Sequence, residues 1–217
     1  MEKPISELLL WRDAAIRTPA GHMACDEALL GATPLPILRL YRWDKGAASF
    51  GYAQRFAEVQ KSTGTLPLAR RWTGGGIVFH GSDLTVALAI PAGKTPPQPS
   101  QLYEKIHGAI LAALRQTEPA ARLAKREESI EGPACFTAPV AHDILSGGTK
   151  LLGGAIRRTR PGTLYQGSLQ NASIPEEALA AALAGRVSPL GDPSAIEARA
   201  FQLETEKYGT AAWLELR

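Results

Sequence analysis

Residues 70–81 read RRWTGGGIVFHG, and the three adjacent glycines at 74–76 constrain the fold more than any other stretch of the chain. Each glycine costs roughly 1 kcal/mol of backbone entropy relative to alanine inside a regular element. The segment is therefore read as a loop between two strands, LPLARRW before it and the apolar IVFH after it. Arg70 and Arg71 are neighbours, so on a strand their side chains leave opposite faces. At most one of them addresses a ligand, and the other is expected in a surface ion pair. The loop is either an ordinary turn or a place where bare backbone and a cation close on an anion. Its spacing matches neither G-x-x-x-x-G-K-[ST] nor G-x-G-x-x-G, the two common phosphate loops.

Short strands surround this loop. PILRLYRW (36–43) alternates apolar and basic residues and reads as a half-buried strand, with AASFGYAQ (47–54) as its hairpin partner across the DKG turn. GIVFHGSDLTVALAIP (76–91) reads as two strands hinged at Gly81-Ser82-Asp83. HMACDEALLGA (22–32) reads as a short helix closed by Gly31. Ser100, after a proline-rich loop, is expected to cap a helix burying Leu102, Ile106, Ile110, Leu111 and Leu114 on one face. AHDILSGGTKLLGGAIRRT (141–159) reads as a strand, a Gly-Gly turn and a second strand carrying Lys150. EEALAAALAG is a helix ended by Gly185, and Asp192-Pro193 opens the terminal helix. Without a regular βαβ beat, the expected class is α+β on a largely antiparallel or mixed sheet with flanking helices. The 217 residues are expected to form one domain.

Composition mainly excludes. A net charge of +3 lacks the dense Lys/Arg stripe of a nucleic-acid binder, although it suits an acidic protein partner. Two cysteines, with no pair at zinc spacing, give neither a disulfide framework nor a metal site. No signal peptide and no run of 18 apolar residues is present, so no membrane role and a reducing cytoplasm are expected.

Few residues could carry chemistry. Lys150 sits between a Gly-Gly turn and an apolar LLGGA, so it is either edge-exposed or aimed at an anion. Cys135, between two prolines in GPACFTAP, is either a small buried hydrophobe or a thiolate nucleophile held by a rigid loop. Cys25 is followed by Asp26 and Glu27, which would raise its pKa and argue against reactivity. His80 is either a hydrogen-bonded core residue or a base. His107 sits at the flank of an amphipathic helix, His22 and His142 have no partner pattern, and no Ser/His/Asp arrangement stands out.

Taken together, MACDEALL, PILRLYRWDKGAASFGYAQ, RRWTGGGIVFHGSDLT, CFTAPVAHDILSGGTKLLGGAIRRT and LYQGSLQ resemble, in order, the lipoyl/octanoyl branch of the lipoate–biotin ligase superfamily. The resemblance covers most of residues 20–170, and RR-x-T-G-G-G-x-V-x-H with K-x-x-G-x-A-x-R-R is specific to it. It implies the biotin/lipoate ligase catalytic fold. It implies that Arg70, Arg71, Thr73, Gly74, Gly75, Gly76 and His80 line an acyl tunnel, with Gly153, Gly154, Ala155 and Gly167 also against substrate. Lys150 would polarise the acyl carbonyl or grip an adenylate phosphate.

Two activities live on such a fold. An octanoyltransferase would take octanoate from acyl-carrier protein onto Cys135. It would pass it, with no cofactor, to a lysine of a lipoyl domain in glycine-cleavage H protein or a 2-oxoacid dehydrogenase E2. A lipoate–protein ligase would instead use ATP and Mg, usually with an accessory domain. The residues after Gln170 read as finishing helices rather than such a domain, and Cys135-Phe136 stands where the cysteine-type transferases carry their nucleophile. Both favour the transferase. The chain departs from the family in having Gly81 after His80, with Asp83 two residues later, and Gln166 where a histidine is common. Those departures motivate a third reading, a non-catalytic acyl- or carrier-binding paralogue.

Overall fold

The computed structural model describes residues 3–93, 98–125 and 139–217. In chain order the elements are β1 (Ile5–Asp13), α1 (Pro19–Ala28), β2 (Ile37–Tyr41), β3 (Ala47–Phe50), α2 (Phe56–Thr63) and β4 (Leu68–Arg70). They continue with β5 (Ile77–His80), β6 (Leu84–Pro91), α3 (Pro99–Leu114), β7 (Arg122–Leu123), β8 (Ile144–Ser146), β9 (Thr149–Arg158) and β10 (Gly162–Leu169). The last are α4 (Glu176–Leu183), β11 (Ala184–Pro189), α5 (Ser194–Leu203) and α6 (Ala211–Leu214), with one π-helical stretch, Glu204–Tyr208, between α5 and α6.

The strands form an eight-stranded mixed sheet, β11-β1-β2-β6-β10-β9-β8-β7, and a three-stranded sheet, β4-β3-β5. In the large sheet β1 runs parallel to β11 and β2, and the pairings from β2 to β7 are antiparallel. The expected α+β class holds, but the expected hairpin of residues 36–54 does not. β2 pairs with β1 and β6, whereas β3 crosses at Asp44-Lys45-Gly46 into the small sheet and pairs with β4 and β5. β2 is not half-buried either, since all five of its residues are buried. One face packs Leu38 and Leu40 with α3 residues Leu102, Ile106 and Ile110. The other packs Ile37 and Tyr41 with Met23, Cys25 and Ala28 of α1 and Ile196 and Ala200 of α5. Each fully buried Leu or Ile is worth about 1.5–3 kcal/mol. Arg39, which made the pattern look amphipathic, is fully buried because its guanidinium bonds Asp13 Oδ2 at 2.6 Å and Asp26 Oδ1 at 2.5 Å. Two carboxylates offset the cost of taking this guanidinium out of water.

Helix starts follow local chemistry. Thr18 caps α1 by accepting from Gly21 N at 2.8 Å, with Pro19 in the first turn. α3 starts at Pro99 after Gln98, so Ser100 lies inside the helix rather than capping it; the fixed φ of proline suits that first position. α5 begins at Ser194, one residue later than expected, and Asp192 Oδ1 accepts from Ser194 N at 2.9 Å.

Candidate functional site

The glycine loop joins β4 to β5 and lies over the turn that leaves β3. Tyr52 N donates to Thr73 O at 2.9 Å, and Arg71 N donates to Phe50 O at 2.8 Å. A Cβ on Gly51 would stand 2.0 Å from Gly75 O, so only glycine lets the two segments pass. The arginines diverge as expected. Arg71 turns into a cavity of about 130 Å³. There its guanidinium donates to Ser49 Oγ at 2.8 Å, Gly76 O at 2.7 Å and Gly74 O at 3.1 Å, so it holds the loop in shape. Arg70 points away from that cavity and makes no surface ion pair of the expected kind. It is fully buried, donating to Tyr52 O and Gln54 O at 2.8 Å and to Leu214 O at 2.9 and 3.0 Å.

The same cavity brings Gly74, Gly75, Gly76 and His80 together with Lys150, Gly153, Gly154, Ala155 and Gly167. Thr73 is not on its wall, but donates at 2.7 Å to Gln166 Oε1, which is. Cys135 lies outside the described residues. The buried thiol described is Cys25, which burial pushes up to about 11, a stronger cause than its acidic neighbours.

Lys150 follows the turn at Gly147 and Gly148, whose φ values of +54° and +81° suit glycine. Of the two expected placements it takes the second, aimed at an anion, and that anion is the protein's own. Its Nζ lies 2.7 Å from Asp143 Oδ2, and Asp143 is fully buried. Asp143 also accepts from Tyr103 OH and, at 2.9 Å, from Val140 N. Gly154 N donates to Tyr103 OH at 2.9 Å, and His107 Nε2 sits 2.9 Å from Tyr165 OH. Burial first, and Lys150's charge to a lesser degree, push His107 down to about 3. The glycines here serve the protein itself. A Cβ on Gly153 would stand 2.3 Å from Lys150 Cε, and Cβ atoms on Gly154 and Gly167 would stand 2.6 and 2.3 Å from atoms of the Tyr165 side chain. Gly74 and Gly76, in contrast, have nothing within 4 Å of that position among the described residues.

Two arrangements were invisible in sequence. Ser49 Oγ lies 2.7 Å from His80 Nε2, and His80 Nδ1 lies 2.9 Å from Asp83 Oδ2, forming a Ser–His–Asp chain across β3, β5 and the β5–β6 turn. Burial holds His80 below its ordinary value, although Asp83 opposes this. Gln166, the family departure, is equally anchored, donating to Asp26 Oδ2 at 2.6 Å while its Oε1 accepts from Thr73. Among the described residues no cluster of His, Cys, Asp or Glu is placed to hold a metal, and no helix is long and apolar enough to cross a membrane.

Residues 18–188 match the lipoyl protein ligase A/B catalytic domain. Octanoyltransferase LipM of Moorella thermoacetica is 35% identical over 182 residues, covering 73% of this chain and 64% of that protein. The Bacillus subtilis protein of the same name is 32% identical over the same shares. The match thus spans less than two thirds of those relatives' length. Among solved structures, protein Ta0514 of T. acidophilum with bound lipoic acid superposes with a TM-score of 0.74 at 22% identity, covering 97% of this chain and all of that one.

Proposed function

The chain belongs to the lipoyl protein ligase A/B catalytic-domain family, and we propose that it transfers an octanoyl group to a lysine of a lipoyl domain. The observation that supports this reading is the narrow cavity that unites the open glycine loop with an anchored lysine. Gly74 and Gly76 leave the space a slim alkyl chain needs. Lys150 is held by Asp143 where it can meet the oxyanion that develops on the acyl carbonyl oxygen.

In the proposed cycle the Cys135 thiolate attacks octanoyl-acyl-carrier protein. A C–S bond forms to Cys135 as the carrier's C–S bond breaks, the departing carrier thiolate takes up the proton that the Cys135 thiol gave up, and the exchange is nearly thermoneutral. The acceptor lysine then attacks the enzyme thioester and yields a more stable amide, so the second step draws the first forward. No nucleotide enters. The acceptor is a lipoyl domain of H protein or a 2-oxoacid dehydrogenase E2.

Intact-mass measurement with octanoyl-acyl-carrier protein, with and without Cys135→Ala, tests the cycle. An octanoyl adduct that disappears in the variant is expected, and an adduct that persists overturns the cysteine step. Lipoate-dependent ATP–pyrophosphate exchange requiring Mg would replace this reading with the ligase. Tight acyl binding without turnover would replace it with a non-catalytic paralogue.

A further inference from the structure

Strand β10 turns a polar side chain toward the three-stranded sheet and the turn that leaves it at every second residue, as one face of a strand must. Ser168 Oγ donates to Asp83 Oδ2 at 2.7 Å, and Gln170, just past the strand, donates to Phe79 O at 2.9 Å. Gln166 is the member of this series at the glycine loop, where its Oε1 accepts from Thr73 Oγ1 at 2.7 Å. Arg157 of β9 reaches the same loop and donates to Trp72 O at 2.9 Å. Ser49, Val78 and His80 line the cavity from the small sheet, and Ala155, Gln166 and Ser168 line it from the large one. The bonds that cross between the sheets therefore set how wide it is. The Gln166 amide has one workable orientation. Asp26 is buried, already takes Arg39 at 2.5 Å and Tyr41 OH at 3.1 Å, and as a carboxylate only accepts. The amide nitrogen must face it, at 2.6 Å, and also lies 3.5 Å from Met23 Sδ. That leaves Oε1 for Thr73.

We propose that Gln166 is a positioning residue that latches the glycine loop to the large sheet before the donor arrives, a role that rests on the acyl-transfer reading above. Its amide is engaged at both ends within the protein, so it acts on the acyl group through Thr73 rather than through a hydrogen bond of its own. The anchor behind it is firm, because Asp26 is bound by Arg39, which Asp13 also binds at 2.6 Å. Arg71 and Tyr52 N hold the loop to its own sheet, but those bonds travel with that sheet and do not fix its distance from β9 and β10. Glycine has more backbone freedom to lose on ordering than any other residue, and 74–76 holds three in a row. Without the latch, donor binding would have to order that wall, and the loss would show in affinity. With it, the wall stands in place and the acyl chain enters a formed cavity. The latch moves no proton and touches no reacting bond, so the chemical step is left alone.

Thr73→Val removes the hydroxyl and leaves the Gln166–Asp26 bond in place, so it is the variant to test first. Amide hydrogen exchange in the ligand-free protein reads the latch directly. Tyr52 N–H, whose acceptor is Thr73 O, should exchange about tenfold faster in Thr73→Val, the size of one lost hydrogen bond, while amides of β6 and β10 keep wild-type rates. In octanoyl transfer from acyl-carrier protein to a lipoyl domain, donor KM should rise about tenfold with kcat within about threefold. Thr73→Ser, which returns the hydroxyl, should restore both. Gln166→Leu should raise donor KM at least as much, and adding Thr73→Val to it should cost nothing further, because the bond is already broken. The latch is overturned by Tyr52 exchange at the wild-type rate in Thr73→Val, or by exchange quickened equally throughout the molecule. Additive losses in the double variant overturn it too, as does an unchanged donor KM, with or without a fall in kcat. A wild type that transfers nothing overturns the acyl-transfer reading instead, and Tyr52 exchange then decides the latch by itself.

Discussion

Two glycine-rich regions meet at one cavity and use their glycines in opposite ways. At Gly153, Gly154 and Gly167 the missing side chains make room for Lys150 and Tyr165, which already fill the space. At Gly74 and Gly76 no described residue fills the space beyond the backbone. A glycine in a sequence states that something passes close by; it does not say whether that something is the protein or its ligand. The first region is a packed mount for a cation, and the second is a bare wall.

The sharpest way to break this contrast is to remove the cation from its mount. Lys150→Gln is expected to reduce octanoyl transfer by about 100- to 1,000-fold, the size of losing one oxyanion donor, and also to lower the melting temperature, because the fully buried Asp143 loses its counter-charge. A lower melting temperature with transfer unchanged would assign Lys150 to structure alone. Next in size, Gly167→Ala forces a methyl against Tyr165, whose hydroxyl is held by His107, and should lower the free energy of unfolding by about 1–3 kcal/mol in urea titrations.

The packed region also carries a pH signature. His107, like His22 on the other face of the sheet, is pushed down to about 3, each by burial first. Unfolded, each takes up a proton near pH 6.5; folded, neither does until far lower. Their contribution is therefore complete above pH 6.5 and is lost as pH falls from there toward 3. The expected slope is about 1.4 kcal/mol per pH unit for each histidine. Denaturation at pH 7 and 5 checks it, and His107→Gln should flatten the curve by one histidine's share. The smallest effect belongs to the open wall. Gly74→Ala should leave stability within about 0.5 kcal/mol yet raise donor KM several-fold, because the new methyl enters space kept for the acyl chain.

What was legible in the sequence was whatever repeats or turns within a few residues. The apolar face of α3, the Gly147-Gly148 turn that presents Lys150, and the loop at 74–76 all announce themselves locally. What was not legible depends on partners far along the chain. Arg39 makes β2 look half-exposed until Asp13 and Asp26 neutralise it from two other elements. Ser49, His80 and Asp83 form no motif by spacing, since only the antiparallel pairing of β3 with β5 brings the serine beside the imidazole. Lys150 likewise reads as solvated or anion-seeking, and Asp143 shows its significance only through the bulged pairing of β8 with β9. Gln166 looks like a defect against the family pattern, yet it ties α1 to the glycine loop.

Arg70 has a consequence for the order in which the molecule can be completed. Its guanidinium is satisfied by carbonyls of Trp213 and Leu214 as well as Tyr52 and Gln54, and Trp213 Nε1 returns a bond to Arg70 O at 3.0 Å. The strand that launches the glycine loop is thus fastened to residues 143 and 144 positions further along the chain. Until they emerge, a buried cation lacks half of its acceptors, so the nascent chain can hold its large sheet before it can hold its glycine loop.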